Sequence, residues 1–153
     1  IALIRDRRSV DRAVLMFQKE VAQRLAVGPG SKDYGRLSVM LQYRFEMERL
    51  FLVPPGAFNP APKVESAVVR MIPRPRAVLA ATDEALLGEI VKSAFAQRRK
   101  MLRNTLRERL SEADWAALGI APTRRAEELA VGDYVRIANR LAEAGITSSS
   151  SRS

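Results

Sequence analysis

The sequence predicts an α/β chain in two parts: a portion of a sheet with its helices over residues 1–76, then a small all-α domain over 77–146. Three observations predict it. A short apolar run at 13–17 passes directly into helical spacing. Two strand-like runs flank a proline-dense loop, and beyond Pro73-Arg74-Pro75-Arg76 every pattern is helical. With 153 residues, 47% hydrophobic and 28% charged, the chain has the mix of an ordinary globular core, which excludes wholesale disorder and a fibrous repeat.

Ala13 to Phe17 has the length of a strand buried on both faces, an internal strand of an α/β sheet. Gln18 to Ala26 follows as a helix, with Val21, Ala22 and Leu25 on one side and Gly28-Pro29-Gly30 as its stop, so strand and helix read as half of a βαβ unit. After the polar loop Ser31 to Gly35, a second helix spans Arg36 to Arg44 with Leu37, Met40 and Leu41 along one stripe. Met47 to Val53 reads as a strand. Residues 54–62 hold four prolines, a rigid extended loop that neither continues a strand nor makes a helix. Val64 to Ile72 is strand again, pairing with its predecessor as a long-looped antiparallel hairpin.

Four helices are expected in the second part. Thr82 or Asp83 caps the first, whose apolar face carries Leu86, Leu87, Ile90, Val91, Ala94 and Phe95. The next holds Met101, Leu102, Leu106 and Leu110, and the third runs from Ser111 to Gly119 with Trp115 as core. The last covers Val131 to Ala144, stopped by Gly145, and 147–153 form a flexible polar tail.

Chemistry is narrowed by what is missing. With no cysteine and no histidine there is no disulfide, thiolate nucleophile, Ser-His-Asp triad or His- or Cys-bearing metal site. No apolar run approaches the ~20 residues of a membrane span and no signal sequence opens the chain, so a soluble cytoplasmic protein without a membrane partner is expected. The chain begins at Ile1 without Met and reads as the middle of a longer protein. A formal net charge of +9 favours a polyanionic partner.

The densest charge runs from Arg98 to Arg109. On a continuous helix Arg99, Lys100, Arg103 and Arg107 share one arc of about 100°, opposite Met101, Leu102, Thr105 and Leu106, so the face suits nucleic-acid phosphates. The plain alternative is a solvated face, though few acidic residues interrupt it. Phe58, between rigid flanks and followed by Lys63, suits stacking on a flipped-out base, or else anchors the loop in the core. Gln18-Lys19-Glu20 lies where open α/β sheets place ligands, and Lys32, Tyr34 and Arg36 offer a phosphate cradle; ordinary helix-start chemistry and a surface loop are the alternatives. Neither GxGxxG nor GxxxxGK[ST] occurs, so no cofactor cradle is visible.

Four separated blocks, Phe-Gln-Lys-Glu-Val-Ala-Gln-Arg-Leu at 17–25, Pro-Gly-Ser-Lys-Asp-Tyr-Gly-Arg-Leu-Ser-Val at 29–39, Val-Pro-Pro-Gly-Ala-Phe-Asn-Pro-Ala-Pro-Lys-Val-Glu-Ser-Ala-Val-Val-Arg at 53–70 and Phe-Ala-Gln-Arg-Arg-Lys-Met-Leu-Arg-Asn-Thr-Leu at 95–106, closely resemble the KsgA family of small-subunit ribosomal RNA adenine dimethyltransferases. The Erm methyltransferases share the Phe-x-Pro-x-Pro-Lys-Val pattern, but the Tyr-Gly-Arg-Leu-Ser and Gln-Arg-Arg-Lys blocks resemble KsgA more. The resemblance implies the C-terminal portion of a Rossmann-like, S-adenosylmethionine-dependent methyltransferase sheet followed by the helical RNA-engaging domain. It also implies a monomer that modifies two adjacent adenines near the 3′ end of 16S ribosomal RNA, in a pre-ribosomal particle.

By the same likeness Phe58 stacks on the target adenine and Asn59, Pro60, Pro62 and Lys63 shape its pocket, while Arg36, Arg98, Arg99, Lys100, Arg103 and Arg107 engage RNA. The family's glycine-rich cofactor loop, acidic ribose ligand and Asn-Leu-Pro-Tyr tetrapeptide do not occur in these residues. The expectation is therefore a C-terminal part, inactive alone, whose first strand has an exposed edge. A non-catalytic RNA-binding or ribosome-assembly module and a generic DNA-binding helical protein are the other readings that charge alone allows.

Overall fold

The computed structural model describes residues 12–146. Three strands, β1 (Ala13–Gln18), β2 (Phe45–Val53) and β3 (Ser66–Pro73), form a sheet in the order β1-β3-β2. Both pairings are antiparallel, with Met16 and Phe51 each opposite Val68, and the β2 register shifts between Arg49 and Phe51. The expected hairpin is therefore present. The first strand, expected to be internal in an intact sheet and to show an exposed edge in this piece, has β3 as its one neighbour among the described residues, antiparallel to it, and its side chains alternate. Ala13, Leu15 and Phe17 pack inward, whereas Val14 and Met16 are 55% and 51% exposed. An antiparallel sheet covered on one side buries every second residue, and an apolar run alone does not reveal which side is open.

The covered side meets α1 (Lys19–Ala26) and α2 (Arg36–Arg44), which contribute Ala22, Leu25 and Leu41 to a cluster with Phe45, Ala67, Val69 and Met71. Polar groups weld the two helices. The buried Ser38 hydroxyl accepts from the Gly35 N–H (3.1 Å) and donates to the Arg24 carbonyl, and Gln42 Nε2 donates to the Leu25 and Val27 carbonyls at 2.9 and 2.7 Å. The free carbonyls at the end of α1 are thus satisfied by the neighbouring helix.

A second cluster gathers the rest of the chain. It is built by α3 (Glu84–Phe95), α4 (Leu102–Thr105), α5 (Glu112–Leu118) and α6 (Val131–Glu143), four as expected, although the second is a single turn rather than a helix holding Met101 to Leu110. It also takes in Tyr34, Val39 and Tyr43, so α2 contributes to both clusters. Tyr34 is fully buried, edge-on to Phe95 at 6.3 Å, and burial followed by the Asp133 carboxylate pushes its phenol up to about 12. That burial removes Tyr34 from the phosphate cradle expected with Lys32 and Arg36. The Tyr134 hydroxyl donates to the Ala126 carbonyl at 2.7 Å, and burial raises its pKa.

Caps fall where short polar side chains predict them. Asp83 accepts from the Leu86 N–H at 2.9 Å. Ser111 and Asp114 form a reciprocal capping box, the Ser111 N–H donating to Asp114 at 2.9 Å, and α5 ends on Gly119 at φ +66.

Hydrogen bonds from the Ser111 backbone and hydroxyl, and then from Arg140 at 2.9 Å, hold the Asp114 carboxyl down at about 2. A folded-state pKa below the unfolded one stabilises above the unfolded value, and that contribution disappears as pH falls through the folded one. The midpoint of urea unfolding is therefore expected to fall between about pH 4 and pH 2 more steeply in the parent than in Asp114→Asn; parallel curves would show that this cap carries no acid sensitivity.

Candidate nucleic-acid interface

The loop joining β2 to β3 begins as a single 3-10 turn at Pro55–Ala57, the Ala57 N–H donating to the Pro54 carbonyl at 3.1 Å. Proline at the first position suits such a turn because its missing N–H has no partner to lose, so the loop is helical for one turn where none was expected. Phe58 follows, half-buried, and among the described residues it joins neither hydrophobic cluster. Neither cluster among the described residues takes the ring as a loop anchor. Asn59, Pro60, Pro62 and Lys63 are all exposed around it.

The basic segment departs from the single helix expected. After α3 ends at Phe95 the chain turns through 96–100, Met101 adopts extended geometry and bridges Arg125, and α4 is one turn long. The Leu102 and Arg103 N–H groups donate to the Arg124 and Pro122 carbonyls, so a distant segment takes the bonds that a continuous helix needs. The common arc of Arg99, Lys100, Arg103 and Arg107 accordingly does not exist. Lys100 and Arg107 instead share a cleft of about 610 Å³ with Ser93, Gln97, Asn104 and Thr105, while Arg99 and Arg103 are exposed outside it. Arg109, on its wall, pairs with Glu89 at 3.3 Å.

Arg98 is engaged by the protein itself. Its Nη2 donates to the carbonyls of Tyr34 (3.0 Å), Ser31 (3.4 Å) and Lys32, clamping the 31–34 loop to the end of α3. Arg36 opens α2 and is exposed, lining neither cleft.

A second open cleft, of about 670 Å³, lies where β1 passes into α1 and includes Lys19, Lys32 and Lys63 on its walls. Sequence reasoning raised these lysines in three separate contexts and did not bring them together. No local signal does so, because 44 positions separate the first from the last.

The comparisons agree with the four sequence blocks. The sequence model described as "Ribosomal RNA adenine dimethylase" matches residues 2–143. Ribosomal RNA small subunit methyltransferase A of Aromatoleum aromaticum is 64% identical over 127 residues, 83% of this chain and 48% of the relative. The protein of the same name from Chromobacterium violaceum is 58% identical over 130 residues, 85% of this chain and 50% of the relative. The chain thus spans about half the length of these curated relatives.

Among solved structures, a dimethyladenosine transferase from Plasmodium falciparum superposes with a TM-score of 0.77 at 23% identity, covering 94% of this chain and 62% of that one, a likeness of fold. The 23S rRNA methyltransferase ErmE superposes with a TM-score of 0.60 at 26% identity over 88% of this chain and 56% of its own. With the family model spanning nearly every residue and relatives named small subunit methyltransferase A above half identity, the chain belongs to the ribosomal RNA adenine dimethylase family, as its KsgA-like blocks predicted.

Proposed function

We propose that this chain is the RNA-engaging portion of a cytoplasmic, monomeric, S-adenosylmethionine-dependent methyltransferase, one that dimethylates two adjacent adenines near the 3′ end of small-subunit ribosomal RNA within a pre-ribosomal particle. On this reading residues up to 76 close a Rossmann-like catalytic sheet, and 77–146 form the domain that holds RNA. The observation that carries it is Phe58, an aromatic ring on a proline-stiffened loop that belongs to no core cluster. A ring so placed offers a face to an unstacked base, a contact with ~1–3 kcal/mol to give. Asn59, Pro60, Pro62 and Lys63 form the surround. Lys100 and Arg107 in their cleft, the exposed Arg99 and Arg103, and Arg36 at the start of α2 neutralise phosphates. Arg98 acts from behind, holding the loop that carries Lys32.

The described residues do not fit the methyl donor. β1 runs straight into α1 at Lys19 with no glycine loop between, and Gly30 lies beyond that helix with its N–H donating to the Glu127 carbonyl at 2.7 Å. Joining the first half of the Aromatoleum aromaticum relative ahead of Ile1 gives the test. With S-adenosylmethionine and under-methylated small-subunit particles, the chimera is expected to place methyl groups on two adjacent adenines. Tight, salt-sensitive RNA binding without transfer would replace this reading with that of a non-catalytic assembly module.

A further inference from the structure

We propose that the cleft at the end of β1 is a second phosphate-binding site, distinct from the Lys100–Arg107 cleft, which holds the backbone of the RNA strand presenting the base to Phe58. The inference rests on the functional reading above and adds to it a location and three residues. Lys19, Lys32 and Lys63 reach the cleft from three segments: the first turn of α1, the 31–34 loop, and the end of the proline loop.

Each segment is fixed. The Lys19 N–H donates to the Glu65 carbonyl at 2.9 Å, tying the start of α1 to the proline loop's exit. Gln23 Nε2 donates to Asp33 Oδ2 at 2.7 Å and the Arg98 clamp grips the carbonyls of residues 31, 32 and 34, so the Lys32 loop is held from both sides.

The ammonium groups are free. Among the described residues none of the three lysines makes a side-chain hydrogen bond or ion pair, although Glu20, Asp33 and Glu65 line the same cleft. Glu20 is paired with Arg24 at 3.2 Å, whereas the neutral Gln23 amide leaves the charge of Asp33 in place, so the three lysines face two unpaired carboxylates, Asp33 and Glu65, with one cation in surplus. Three unpaired ammonium groups on separately fixed segments, in slight surplus over the carboxylates beside them, offer donors to the regularly spaced phosphates of a polyanion. Glu65 is out of place in a site for phosphate alone. It suits a ribose, whose 2′-hydroxyl can donate to it, and so favours RNA over DNA.

The position identifies the strand. Pro55 and Lys63 both line the cleft, and Phe58 lies between them on the same loop. Five residues separate Phe58 from Lys63, at most ~18 Å of chain, so a nucleotide stacked on the ring keeps its flanking backbone within reach of the lysines.

The test is the salt dependence of binding between this 153-residue chain and a small-subunit 3′-terminal RNA hairpin bearing two adjacent adenines. The triple variant K19Q/K32Q/K63Q is expected to flatten the slope of log affinity against log salt by about 2, at ~0.7 per phosphate on a single strand. The charge-conserving K19R/K32R/K63R is expected to retain the parent slope, and K100Q/R107Q to flatten it independently. Far-ultraviolet circular dichroism matching the parent's accompanies each variant. An unchanged slope in the glutamine variant, with the parent binding, overturns this site alone. No binding by the parent at any salt overturns both it and the functional reading, whereas a flattened slope beside an inactive chimera leaves the site standing without the methyltransferase.

Discussion

Phe58→Ala, made in the chimera with the first half of the Aromatoleum aromaticum relative, is expected to lower methyl transfer by about 5- to 150-fold. That is the kinetic equivalent of losing the ~1–3 kcal/mol of one base–aromatic stack. Affinity for the RNA as a whole should change far less if, as proposed, phosphate contacts at two clefts supply most of it. Phe58→Tyr, which keeps the ring face, should recover most of the rate. The loss is separable from unfolding: a residue in neither cluster is expected to leave stability within about 1 kcal/mol of the parent. Urea titration beside the rate measurement distinguishes the outcomes. A stability loss as large as that of a core truncation would mean that the ring holds the loop rather than the base.

Trp115→Ala shows what a core truncation looks like here, with an expected loss of about 3–5 kcal/mol. Trp115 is 3% exposed in the second cluster, on a helix of seven residues. So short a helix does not stand in water on its own hydrogen bonds, and its two caps secure only its ends. Trp115 and Leu118 are the buried side chains that fasten it to the rest. The loss should appear as a lower urea midpoint, with the RNA salt slope unchanged under conditions where the variant is folded. A loss below about 1 kcal/mol would show that the cluster closes over the vacancy.

What could be read from the sequence divides by the range of the forces involved. The bounds of α2 at Arg36 and Arg44, the Asp83 cap, the Ser111 start and the Gly119 stop were legible because each is set within a few residues by local hydrogen bonds or backbone freedom. The exposure of Val14 and Met16 was not, since burial belongs to the sheet and not to the strand. The break at Met101 was hidden for a similar reason. Good helix formers occupy 97–103, but the bridge to Arg125 comes from 24 residues beyond Met101.

At the candidate site, Phe58 and the basic run were visible as composition. The capture of Arg98 by three loop carbonyls, and the meeting of three lysines in one cleft, exist only after folding. Charge told that a polyanion was wanted; only the fold told which cations remained available to it.

The double allegiance of α2 sets how this molecule can be divided. Leu41 faces one cluster while Val39 and Tyr43 face the other, and Tyr34 just ahead of the helix completes the ring packing around Phe95. A segment excised from residue 77 onward would leave behind three of the side chains in its cluster, Tyr34, Val39 and Tyr43, and would uncover the Phe95 ring that Tyr34 meets. A gene designer seeking a minimal portable helical fragment should therefore cut ahead of Ser31 and carry α2 along as its lid, because Tyr34, Val39 and Tyr43 pack with the helices that follow the proline punctuation.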